Sequence, residues 1–99
     1  MNEVRVEVQV GDGPAEVLKR EVLKEDQFAQ LATPGAIHGN VGFNVGTSQN
    51  FGDVKITAVV NLTCDQNEPT LDRAAELALL KAIEYMQGGF SILAGKKAE

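Results

Sequence analysis

Cys64 and His38 are the only cysteine and the only histidine in the chain. A thiol and an imidazole within hydrogen-bond reach would form a nucleophilic pair. Cys64, however, closes an alternating apolar series, Val54, Ile56, Ala58, Val60, Leu62 and Cys64. On the apolar face of a strand, cysteine behaves as a small hydrophobe. His38 sits in a glycine-rich loop with no partner at metal-ligand spacing, so a zinc site is not expected. Asp65, Asn67, Glu68 and Asp72 gather oxygen ligands around one turn. An EF-hand loop needs glycine at its sixth position and a distal glutamate. Counted from Asp65, the sixth residue is Thr70. Turn and cap chemistry accounts for these side chains without a cation.

Two glycine patterns suggest phosphate or nucleic-acid binding. Gly39-Asn40-Val41-Gly42 has the bare spacing of a GXXG clamp, but it leads into a strand and no base lies nearby. Gly42-Phe43-Asn44-Val45-Gly46-Thr47 lacks the length and the lysine of a phosphate loop. Glycines on an outer strand face mark close backbone approach or a bulge. Glu3, Glu7, Glu16 and Glu21 would pair as acid and base only if something buried them and split their pKa values. Alternating charge on strands instead describes a solvated face. The expectation is therefore no catalytic residue, no cofactor and no metal.

The elements that position these residues follow from periodicity. Val4, Val6, Val8 and Val10 alternate with Glu3, Arg5, Glu7 and Gln9, which predicts a strand over 3–10. Gly11-Asp12-Gly13-Pro14 is a turn. Residues 15–32 admit two readings. One is a strand over about 16–23 followed by a short helix from Glu25 to about Ala32; the other is a single helix over 15–32. The first is preferred, because a lone first strand needs a partner. Val41, Phe43 and Val45 alternate with Gly42, Asn44 and Gly46 to give a third strand, and Thr47–Gly52 reads as the connecting loop. The fourth strand, over 53–64, carries Lys55, Thr57, Asn61 and Thr63 on its second face, with Val59 the only apolar residue among them. Its length predicts a bend, a bulge or an end overhanging its neighbours.

After the turn over 65–69, Thr70 is the expected N-cap of a helix that stops at Gly88-Gly89. Leu71, Ala74, Ala75, Ala78, Leu79, Ala82, Ile83 and Met86 form its expected apolar face. Phe90, Ile92 and Leu93 are expected to fold back, and residues 95–99 to be a disordered tail. The order is ββαββα. The expected fold is α+β in a single domain over 1–94: an antiparallel sheet of about four strands with the C-terminal helix packed on one face.

Ninety-nine residues, 43% of them hydrophobic, suffice for one core without disulfides or metal. The net charge of −5 and the absence of Lys or Arg between Lys24 and Lys55 argue against nucleic acid as a partner. Arg5, Lys19, Arg20 and Lys24 are interleaved with glutamates. No apolar run approaches the ~20 residues of a membrane span. Met1–Arg5 lacks the apolar region of a secretory signal, so the expected location is a cytoplasm.

The run Asn50-Phe51-Gly52-Asp53-Val54-Lys55, continued by the long strand to Asp65 and an alanine-rich helix, resembles small proteins encoded by phages and prophages. The resemblance covers residues 40 to 87. It implies a virus-derived or mobile-element-derived accessory protein and transfers no catalytic residue. The expected function is a non-enzymatic protein-interaction module that self-associates, at least as a dimer. The alternative is a nucleic-acid-associated accessory protein, and a small enzyme is the third reading. The candidate interaction surface is Gly42, Gly46, Lys55, Thr57, Val59 and Asn61.

Overall fold

The alternation of residues 54–64 fixes the middle of the molecule. In the computed structural model, which describes residues 2–98 and the side chains of residues 2–91, the strand Val54–Asp65 has every even-numbered side chain buried. Numbered in chain order, the strands are β1 (Glu3–Val10), β2 (Glu16–Val22), β3 (Asn40–Phe51) and β4 (Val54–Asp65). The helices are α1 (Asp26–Ala29) and α2 (Glu68–Ala98). All four strands form one antiparallel sheet in the order β2-β1-β4-β3. The fold is α+β, with α2 packed on one face, as the periodicity predicts.

Residues 15–32 resolve as hairpin strand and short helix, not as one helix. The hairpin turns at Gly11, whose φ of +56° suits glycine. A bulge interrupts the β1–β2 register between Val6 and Glu7 and leaves Leu18 as the extra residue. Phe28 is the apolar anchor of α1 and is fully buried.

β3 corrects the sequence reading. Residues 47–51 are strand, not loop, and the turn is reduced to Gly52-Asp53, with Gly52 at φ +68°. Thr47, Ser48, Gln49 and Asn50 carry no apolar alternation to announce a strand. Their conformation is set by pairing with Ala58, Thr57, Ile56 and Lys55, a case of sheet context overriding local preference. β4 is thus matched along its whole length by β3. On its other side β1 ends opposite Asn61, and β4 overhangs it. There Thr63 N–H donates to Asn2 Oδ1 at 2.9 Å and Asp65 N–H to the Leu31 carbonyl at 2.7 Å. The overhang is covered from within the chain.

The start and end of α2 also differ from expectation. Asn67, not Thr70, caps it: Asn67 Oδ1 accepts the Thr70 N–H at 3.0 Å. Pro69 sits inside the first turn, where its missing N–H removes no helical bond. The helix passes through Gly88-Gly89 and runs to Ala98. Phe90, Ile92 and Leu93 therefore continue it instead of folding back. The helix includes residues 95–98, which the sequence reading placed in a tail; Glu99 lies outside the described residues. Gly89 is a packing residue. A Cβ there would stand 2.8 Å from Val6 Cγ1 and 3.3 Å from Ile56 Cγ2, so only glycine lets the helix lie this close to the sheet.

The core joins Val4, Val6, Ile56, Ala58, Val60, Leu62 and Cys64 to Phe28, Leu31, Ala74, Ala78, Ala82 and Met86. Only half of the expected apolar face of α2 is in it. Ala75 is exposed, and Leu79 and Ile83 are 48% and 38% exposed. Tyr85 and Lys81 lean toward β2 and α1, while Phe90 stacks on Phe51 of β3 with ring centroids 4.2 Å apart. The flank carrying Ala75, Leu79, Ile83 and Phe90 therefore faces the β3 side.

Candidate functional site

The six candidate residues lie on the sheet face opposite α2. Pairing places Gly46 beside Val59, Asn44 beside Asn61, Ser48 beside Thr57 and Asn50 beside Lys55. Gly42 lies beside Thr63. Gly42, Gly46 and Lys55 are exposed, and Thr57, Val59 and Asn61 are half-buried. The structure thus gathers all six into one two-strand patch.

Neither glycine of the patch is required by the fold itself. Neither has a positive φ. A Cβ at Gly42 would meet nothing closer than 3.8 Å, and one at Gly46 nothing closer than 3.6 Å. Both are ordinary contacts, yet glycine in a strand costs roughly 0.5–1 kcal/mol relative to alanine. What the glycines do is leave the outer rows of β3 almost bare beside the half-buried Val59.

The charge on this face is mixed. β1 contributes Glu3, Arg5 and Glu7 next to Asn61, Val59 and Thr57. Arg5 Nε lies 3.0 Å from Glu7 Oε1, an ion pair without hydrogen-bond alignment. Asn61 Nδ2 donates to Glu3 Oε1 at 3.4 Å. β3 supplies no charge at all. Of the bases that a nucleic-acid surface would need in a stripe, Arg20 of β2 lies beside Arg5 on this face, Lys55 lies four residues along β4 from Val59, and Lys19 is on the helix side over the Tyr85 ring.

The remaining polar groups serve the fold. Asp65 accepts the Thr33 N–H at 2.6 Å and the Thr33 hydroxyl at 2.9 Å. This ties the loop after α1 to the end of β4. Together with the Asn67 cap, it engages two of the four side chains that the sequence grouped around this turn, Asp65 and Asn67. A shallow cleft of about 290 Å³ lies there, lined by His38, Asp65, Gln66 and Asn67 among others. Among the described residues no group of three or more His, Cys, Asp or Glu side chains is placed to hold a metal ion. Cys64 is fully buried, and burial pushes its thiol pKa up, with Asp65 adding to the effect. A thiol so placed stays protonated and is a poor nucleophile.

On the helix side, Tyr85 donates its hydroxyl proton to Glu21 at 2.9 Å, and Lys81 bonds Glu25 at 3.1 Å. Burial first, and then Glu21, push the Tyr85 pKa up to about 12. The same hydrogen bond, helped by Lys19, holds Glu21 below the ordinary carboxylate value. Burial works to lower the Lys81 pKa, but Glu25 and Glu84 together outweigh it and the net shift is upward. Each charge has a partner, so the cluster fastens α2 to β2 and α1. The exposed apolar flank of α2 is what the sequence reading missed. Its residues look equally suited to either side of a helix.

Among the described residues no helix is long and apolar enough to cross a membrane. Fold and surface define a four-stranded antiparallel α+β domain with one helix-covered face and one open face. No family model, curated protein or solved structure matches the chain.

Proposed function

We propose that this chain is a non-enzymatic protein-interaction module that self-associates and offers its open sheet face to a protein partner. The observation that carries the reading is the pair Gly42 and Gly46. They are exposed, extended and unneeded for packing; Gly46 lies beside Val59 and Gly42 beside Thr63, on a face that no described element covers. Bare backbone beside an apolar side chain lets another chain approach the sheet closely. The resemblance of residues 40–87 to small phage and prophage proteins supports an accessory role in a cytoplasm.

The test is affinity capture from host lysate with the wild type, Gly46→Arg and Val59→Lys side by side. Circular dichroism verifies that each variant is folded. The expected result is a protein that the wild type retains and both folded variants lose. Identical capture by all three, or no protein retained by any, overturns the open face as a binding surface.

A further inference from the structure

The two edges of the sheet are built differently. β2 carries Glu16, Lys19, Arg20 and Glu21 and is broken by the bulge at Leu18. Charge and bulges are the usual protections of an edge strand. β3 has neither. Its twelve residues, Asn40–Phe51, contain no charged side chain and no proline, and they pair with β4 in unbroken register. Its outer edge is a long, regular row of backbone groups. Above it, on the helix side, Val41, Phe43, Val45 and Phe51 are half-buried under the flank carrying Ala75, Leu79, Ile83 and Phe90.

We propose that a second copy of this chain occupies the outer edge of β3. The two β3 strands pair antiparallel about a two-fold axis at mid-strand, and the Leu79–Ile83 flanks of the two α2 helices meet over the joined strands. The proposal rests on the self-associating part of the reading above and names its surface.

The geometry fixes the register, the level along the helix and the lateral spacing. Opposed residues of an antiparallel pair share a face, so the axis passes through a residue, and full overlap of β3 puts it at Val45 or Gly46. Phe51 and Phe90 are level, since their rings stack. From Phe51 back to that axis is about 17–20 Å at ~3.3 Å per residue, or about 11–13 residues of helix at ~1.5 Å each. Counted back from Phe90, this reaches the turn that carries Leu79. The axis therefore sets Leu79 against Leu79 and Ala75 of one helix against Ile83 of the other, small against large. Laterally, α2 is centred on β4 and touches β3 on one side and β1 on the other. With strands ~4.8 Å apart, β4 is ~7.2 Å from the axis, which puts the helix axes roughly 14 Å apart. That is wider than the about 8–10 Å of direct helix packing, so the contact is made by the long Leu79 and Ile83 side chains reaching across the seam.

Charge fits a symmetric contact as well. Like charges meet themselves or their neighbours across a two-fold. β3 is uncharged, and the two carboxylates of the flank, Asp72 and Glu76, fall opposite Met86 and Ala82 of the other helix and not opposite their own copies. The β2 edge would set Arg20 and Glu21 among their own copies.

The experiment is sedimentation equilibrium of the wild type, Leu79→Glu and Val59→Lys at high micromolar concentration, with deuterium exchange of the wild type across a dilution series. Leu79 is half exposed, so its replacement leaves the core intact. The expected result is a wild-type and Val59→Lys mass of two chains and a Leu79→Glu mass of one. Alternate amides of β3 should lose protection on dilution while those of β2 do not. A wild type that sediments as one chain refutes the self-associating reading and this proposal together. A wild-type dimer that survives Leu79→Glu but not Val59→Lys keeps the reading and refutes this surface. Should Leu79→Glu unfold, a wild-type dimer without concentration-dependent protection of β3 refutes it equally.

Discussion

Gly88 and Gly89 are adjacent, identical in chemistry, and predicted to respond oppositely to the same substitution. Neither has a positive φ, so neither is a helix terminator here. Alanine in a helix interior is favoured over glycine by about 1 kcal/mol. At Gly88 nothing lies within 4 Å of the added Cβ. Gly88→Ala should therefore gain that whole amount. At Gly89 the same carbon arrives 2.8 Å from Val6 Cγ1 and 3.3 Å from Ile56 Cγ2. Val6 is 1% exposed and Ile56 fully buried, both on central strands, so neither methyl can swing into solvent. The sheet or the helix must shift, and overpacking of this kind costs about 1–3 kcal/mol. Set against the helical gain, Gly89→Ala should destabilise by about 0–2 kcal/mol.

The two variants should then differ by about 1–3 kcal/mol, on the order of 4–8 °C in Tm per kcal/mol for a domain of this size. Urea titration of both, monitored by far-ultraviolet circular dichroism, measures the difference. Equal stabilisation by the two alanines would show that α2 does not rest on β1 and β4 at Gly89. Equal destabilisation would show that the helix ends there, as its Gly-Gly pair suggests from sequence.

Ile56→Ala and Leu62→Ala should each cost about 2–5 kcal/mol as large-to-small changes in the core, and losses below about half a kcal/mol at both in urea would contradict the central place of β4. Asn67→Ala should cost about 1 kcal/mol as a lost N-cap; Thr70→Ala losing more than Asn67→Ala would restore Thr70 as the cap. Tyr85 is the only tyrosine and there is no tryptophan, so absorbance titration reads it alone, with a midpoint expected near 12 and a partial return toward the ordinary value in Glu21→Gln. Because its folded pKa is raised, the neutral phenol adds stability that is complete below the unfolded pKa of ~10 and is lost as pH rises through about 12; a midpoint near 10 in the folded protein would remove the contact with Glu21. Fluorescence anisotropy at physiological salt should find no sub-micromolar complex with nucleic acid, since Arg5 is paired and β3 is uncharged; tight binding would reverse the ranking of partner classes.

What the residues announced and what they concealed divides along the range of the forces involved. β1 and β4 are legible because Val4 and Val6, and Val54 through Cys64, alternate within themselves. The second half of β3 is not, because Thr47–Asn50 become strand only through a partner across the Gly52-Asp53 turn. Gly89 is opaque for a similar reason: what makes glycine necessary there is a methyl of Val6, near the other end of the chain. The apolar face of α2 was half legible. Ala74, Ala78 and Ala82 are buried as expected, but Ala75, Leu79 and Ile83 are as apolar and face outward. Spacing gives the stripe; it does not say on which side of its centre the sheet lies. The candidate patch was legible as one face, since period-two alternation fixes sides. That Gly46 lies beside Val59 depends on register, which the two-residue turn sets.

The proposed edge and the proposed face are compatible, and their combination has a consequence of its own. A two-fold axis perpendicular to the sheet keeps both open faces on the same side. The two patches then lie next to each other across the β3–β3 seam, Gly42 and Gly46 of one copy within a few strands of those of the other. A partner with two suitable segments, or itself two-fold, would bind with an effective concentration far above either single contact. Edge and face substitutions should therefore fail differently. Val59→Lys removes the contact itself and weakens binding at every protein concentration. Leu79→Glu leaves each patch intact and removes only the pairing of patches. Its partner affinity should fall to that of a single site and stop there, and covalent linkage of two Leu79→Glu chains should restore the difference. If Leu79→Glu binds the partner as tightly as the wild type, the seam plays no part in recognition, even if the dimer is real.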